Sequence, residues 1–116
     1  MSKRVETEVL VQEFAEKAVV HVTSEKSAPA NRAARRLAEI YRELRSRGEP
    51  SLLIWSQLLE NEHPAVRMWA ASYGLERFPE KAMSTLLELA NGPTGVVRAY
   101  THMSLQLWQD GEFKFP

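Results

Sequence analysis

Apolar residues return every three or four positions along nearly the whole chain, and the interruptions carry proline, glycine or a polar run. That spacing is the period of an amphipathic helix, and no segment sustains strand alternation. The pattern predicts six helices, over residues 7–23, 31–47, 50–60, 64–78, 79–90 and 94–109. In the first, Leu10, Phe14, Ala18 and Val22 fall at steps of four on one side, as an inward stripe does. In the second, Ala33, Leu37, Ile40, Tyr41 and Leu44 make the stripe, with Asn31 as N-cap and Gly48 as the stop. Pro50, Pro64 and Pro79 open the next three, at the position where a missing N–H breaks no helical bond. On the third helix Leu53 and Leu59 are expected to point inward, leaving Trp55, Ser56 and Glu60 outside. On the fifth, Leu86 and Leu87 are expected inward and Ser84 and Glu88 outward.

A repeat turns six helices into a stack. Arg36, Arg67 and Arg98 stand 31 residues apart, each early in its helix. In the same register Ala38, Trp69 and Tyr100 align, as do Tyr41, Ser72 and Met103. The helices between them echo each other as well, residues 55–60 resembling 83–88 at an offset of 28. Repetition at this length is the mark of helical hairpins that bury their faces against neighbours, and the unequal offsets place an insertion in the 91–95 connection. The run of residues 63–75, with Val66-Arg67 and Ala70-Ala71 followed by Leu75, then Ala82 and Leu86-Leu87, resembles a short HEAT-like repeat. It departs from the usual pattern at Tyr73-Gly74-Leu75, where Ala-Leu-Gly is customary. Over residues 7–113 the chain is also similar to a small bacterial family catalogued as domain of unknown function twenty-nineteen. The shared features are residues 37–44, the 63–75 run and the closing Leu107-Trp108. The resemblance implies an all-α, HEAT-like α-α superhelix and brings with it no activity and no functional residue.

The 116 residues suit one domain spanning 1–116, with 1–6 and 112–116 as flexible ends. A hydrophobic fraction of 44% with 26% charged residues is ordinary globular composition, far from the disordered regime. Fifteen Lys and Arg balance fifteen Asp and Glu, so no global field draws in polyanions and any electrostatic function must be local. Without cysteine there is no disulfide, thiol nucleophile or thiolate metal site. Residues 1–6 lead into no apolar signal core, and no apolar run is long enough to span a membrane. The expected location is cytoplasmic.

The chemistry-bearing residues read mostly as structure. The register arginines are expected to be glue, packing their stems and bonding carboxylates or helix ends, with Arg67 in the seam between repeats and Arg45 near an exposed helix end. Trp69 and Tyr100 are expected in the core. Trp55 is the aromatic left for a surface, where it would be a hot spot. His21, His63 and His102 lie on separate elements, so no metal site is expected, and His63 before Pro64 reads as a turn residue. Asp110 is the one aspartate, and no phosphate loop, nucleophile elbow or metal-ligand motif is present. No catalytic residue, cofactor or enzymatic activity is expected. What remains is a non-catalytic protein-binding module, one version of which is an immunity-type protein that masks a bacterial toxin. Its candidate surface is Trp55, Ser56, Glu60, Ser84 and Glu88. The alternative is nucleic-acid binding through the locally cationic second helix, by Arg32, Arg35 and Arg42.

Overall fold

The computed structural model describes residues 5–116, which form α1 (Thr7–Thr23), α2 (Ser27–Arg47), α3 (Glu49–Ser56), α4 (Pro64–Gly74), α5 (Pro79–Ala90) and α6 (Val96–Gln109). A 3-10 turn, Gln57–Glu60, continues α3. Among the described residues there is no strand, and the chain is an all-α stack. Of the expected flexible stretch 1–6, residues 1–4 lie outside the described residues.

Besides shifts of one residue at the start of α3 and two at the start of α6, three boundaries differ from the pattern, each for a local reason. The second helix begins at Ser27 instead of 31. Pro29 sits in its first turn, where an N–H has no intrahelical partner to lose. Asn31 is therefore inside the helix and caps nothing. The fourth helix stops at Gly74 rather than running to 78, the chain turning through bonds from Arg77 N and Phe78 N to the Gly74 carbonyl. A Cβ on Gly74 would lie 3.5 Å from the Ala82 methyl and 4.0 Å from the Trp55 ring, ordinary contact distances, so an alanine would fit at this α4–α5 contact. The third helix tightens into the 3-10 turn, which brings adjacent Leu58 and Leu59 both inward.

α1 packs along α2 and also against α3 and α4, and α4 packs against α5 and α6. The core runs through this arrangement as one cluster. Phe14, Leu37, Ile40, Tyr41, Leu44, Trp55, Ala70 and Leu86 are fully buried within it. Rings from consecutive helices meet at its centre: Trp55 lies 5.6 Å from Phe14 and 5.0 Å from Tyr41, and Tyr73 lies 6.2 and 5.1 Å from the same two. The Tyr41 hydroxyl donates to Glu76 Oε1 at 2.7 Å, and Arg45 Nη1 donates to the same oxygen at 3.2 Å. Burial, and then the Glu76 bond, raise the Tyr41 phenol well above its ordinary value. Burial pushes Tyr73 up to about 12.

Two expectations are corrected here. Trp55, assigned to a surface, is 0% exposed, because Leu52, Trp55 and Leu59 share one helical face and Leu53 is turned out with 52% exposure. Arg45 is not a loose end: besides Glu76 it lies over the Tyr41 ring at 5.4 Å and donates to the Pro116 carbonyl oxygen. That last bond belongs to a tail expected to be flexible at 112–116. Gly111, at φ +69°, reverses the chain after α6, with Gly111 N bonded to Trp108 O and Glu112 N to Leu107 O. This is the glycine-capped helix end of the Schellman type. It sets Phe113 and Phe115 against the core.

Replacing Trp55 by Ala should cost about 3–5 kcal/mol of unfolding free energy, the range for deleting a buried aromatic. Leu53→Ala should cost roughly 0.5 kcal/mol or less. Urea denaturation of the two variants checks the ordering, and equal losses would contradict the assignment of Trp55 to the core.

Candidate binding groove

The groove is assembled from the start of α4, the end of α5 and the connection into α6. The α4 end is fixed by its own sequence. His63 N donates to Asn61 Oδ1 at 2.9 Å, and His63 Nδ1 accepts from Ala65 N at 3.1 Å. His63 is thus the N-cap of α4 before Pro64, as its place in a turn suggested. One turn further, Arg67 folds back so that Nη1 donates to the carbonyls of Asn61 at 2.7 Å and Glu62 at 3.1 Å. At the end of α5, the Asn91 amide nitrogen donates to the Leu87 carbonyl, and Gly92 and Pro93 prevent continuation. Gly95, at φ +154°, adopts a backbone that side chains disfavour and starts α6. Arg98 Nη1 then donates to Thr94 Oγ1 at 3.1 Å.

Between these segments lies a groove of about 410 Å³ with an apolar wall of Leu89, Pro93, Val96 and Val97. Arg67, Arg98 and Glu88 also line it. The three register arginines therefore divide. Arg36 grips Glu13 of α1 with two bonds, at 2.6 and 2.8 Å. The Arg36 bond, outweighing burial, holds the Glu13 carboxyl below its ordinary value. Arg67 and Arg98, both partly buried, bond neutral oxygens, and neither has a carboxylate partner among the described residues. Glue describes Arg36 fully and the other two in part.

A second recess, of about 200 Å³, lies where α1, α4 and α6 meet, with His21, Trp69, Tyr100, Met103 and Phe113 around it. Trp69 Nε1 donates to His21 Nδ1 at 3.2 Å, and the imidazole stands 4.9 Å from the Trp69 ring and 5.0 Å from Tyr100. The Ser72 and Ser104 hydroxyls, 2.9 Å apart, join α4 to α6 beside it. Burial lowers the His21 pKa below its ordinary value, which keeps Nδ1 free to accept the indole proton.

The candidate surface does not hold together as one strip. Trp55 leaves it for the core. Ser56 is partly buried and donates to the Leu53 carbonyl of its own helix at 2.7 Å. Glu60, Ser84 and Glu88 are exposed, and of these Glu88 alone lines the groove. Leu87, expected inward, is 50% exposed, because the buried face of α5 is Ala82, Leu86 and Leu89. The alternative residues Arg32, Arg35 and Arg42 are all exposed on α2, with no ion pair among the described residues. His102 is exposed on α6, apart from His21 and His63. The groove residues missed by sequence reasoning had one visible signal, the recurrence of Val-Arg at 66–67 and 97–98. That the first copy is neutralised by Glu13 depends on how α1 lies against α2, which spacing along the chain does not reveal.

These features define a small all-α stack with a preformed, ligand-sized groove at the α5–α6 connection. No protein-family model, curated protein or solved structure matches the chain.

The His21 arrangement has a pH consequence. Its folded pKa lies below the unfolded value, about 6.5, so the folded state binds fewer protons. The stabilisation is complete above that value and is lost as pH falls below it. Urea midpoints should fall between pH 7.5 and 5.5, and His21→Phe should flatten the fall. An unchanged slope in the variant would contradict the half-buried imidazole that accepts the Trp69 indole proton.

Proposed function

We propose that the chain is a non-catalytic protein-binding module, built as a HEAT-like superhelix, related to the small bacterial family named above and acting in the cytoplasm. The observation that carries the reading is the groove at the α5–α6 connection. Its 410 Å³ falls within the few-hundred Å³ typical of ligand pockets, and of the helices around it α4 and α5 are held by the core cluster through Val66, Ala82 and Leu86. A wall already held in place limits the ordering cost that a partner meets on binding. An immunity-type role, masking a toxin, is the specific version of this function that such a surface suits.

A second reading is favoured by one observation, the exposed Arg32, Arg35 and Arg42, which have no ion pair among the described residues. These residues supply three cations to a nucleic acid, against the nearby Glu39 and the Arg47-paired Glu43.

Two measurements separate the readings. Capture from a bacterial lysate at physiological salt should enrich a protein that the groove variant Val96→Glu fails to enrich; Val96 is exposed, so the variant should fold. Capture indifferent to that change, or none at all, would refute the groove. Filter binding of a single-stranded oligonucleotide should show no retention. Retention with a log–log salt slope of about −2, as three phosphate contacts give, and lost in the triple Arg→Gln variant, would transfer the function to α2.

A further inference from the structure

A guanidinium carries five N–H donors, and the bonds of Arg67 and Arg98 to protein oxygens use Nη1 alone. The Nε and Nη2 groups of both residues have no protein acceptor among the described residues, although both side chains are partly buried. These donors keep contact with solvent and are open to an incoming acceptor. Elsewhere in the chain the partly buried Arg36, Arg45 and Arg47 meet carboxylates of the protein itself. Glu88 is the single acid lining the groove, against two cations, so the recess carries an unmatched positive charge beside an apolar wall.

We infer that the groove binds an acidic, apolar segment of a partner protein, with Arg67 and Arg98 holding its carboxylates and Leu89, Pro93 and Val97 packing an adjacent apolar side chain. This rests on the protein-binding reading and specifies the partner's chemistry. A guanidinium fork matches a carboxylate in two parallel bonds. A phosphodiester chain fits less well, because two cations neutralise little of a polyanion and its sugar-phosphate backbone has no apolar side chain to lay against Leu89, Pro93 and Val97.

The test is a selection of displayed random 12-residue peptides on the full chain, followed by fluorescence polarisation with the peptide most enriched. The enriched sequences should place Asp or Glu beside Leu, Ile or Phe. Arg98→Glu should weaken the selected peptide by about tenfold or more, as loss of a charge-assisted bond predicts, and should select basic sequences instead. Among the described residues the Arg98 side chain bonds Thr94 alone, an exposed residue, so the variant should keep its melting temperature. Glu88→Gln should tighten the same peptide, which keeps the test decisive if Arg98→Glu misfolds. A consensus without acids, an acidic consensus indifferent to both changes, displacement of the peptide by a uridine 20-mer, or no consensus would each overturn the inference. If groove-dependent capture of a protein persists in any of those cases, the protein-binding reading stands and only its acidic specificity falls.

Discussion

Phe14, Tyr41, Trp55 and Tyr73 come from α1, α2, α3 and α4, and their rings close a cycle of contacts at 5.0–6.2 Å. Each such pair contributes about 0.5–1.5 kcal/mol beyond burial, within a total stability on the order of 5–15 kcal/mol. The cycle forces four helices to agree on a single arrangement. It extends outward through Trp69, 5.6 Å from Tyr73, to His21 and then Tyr100 of α6. Every helix except α5 contributes a ring to this chain. α5 is held instead by Ala82 and Leu86, with Ala82 packed opposite Gly74 of α4.

Packing thins away from that centre, and the groove lies where it is thinnest. α4 buries eight of its eleven residues, whereas α6 buries only Thr101. A helix with so little of itself committed to the core leaves apolar surface available, and Val96 and Val97 line the groove from its first turn. Electrostatics follow the same gradient. The arginine nearest the packed end is spent on Glu13, while its two register mates are bonded to backbone and hydroxyl oxygens beside the groove. The fold has thus matched one register arginine with a carboxylate and left two beside the groove without one among the described residues.

Much of the fold was legible because it depends on local period. The α2 stripe matches the buried positions, the α1 stripe does so at Leu10, Phe14 and Ala18 but not at Val22, and the proline-opened starts of α4 and α5 fall where residue spacing puts them. The errors arose where two apolar residues competed for one face. Taking Leu53 and Leu59 as the inward pair puts Trp55 outside, whereas Leu52, Trp55 and Leu59 at i, i+3 and i+7 form the buried stripe. Leu87 was preferred to Leu89 in the same way. The site was far less legible. A 31-residue register identified Arg36, Arg67 and Arg98 as equivalent, but their different partners arise from helix packing across the stack, and the tail that ties Pro116 to Arg45 is set by one left-handed glycine.

The central claim is that the ring cycle around Trp55 makes the helices open as one unit. Native-state hydrogen exchange tests it most directly, by following the Trp55 indole N–H, which is fully buried with no acceptor among the described residues, together with backbone amides of α2 and α4. The account predicts that all of these protons exchange only through global unfolding, with the free energy that denaturant unfolding gives. Exchange of the indole proton through a smaller, local opening, while α2 and α4 stay protected, would contradict it.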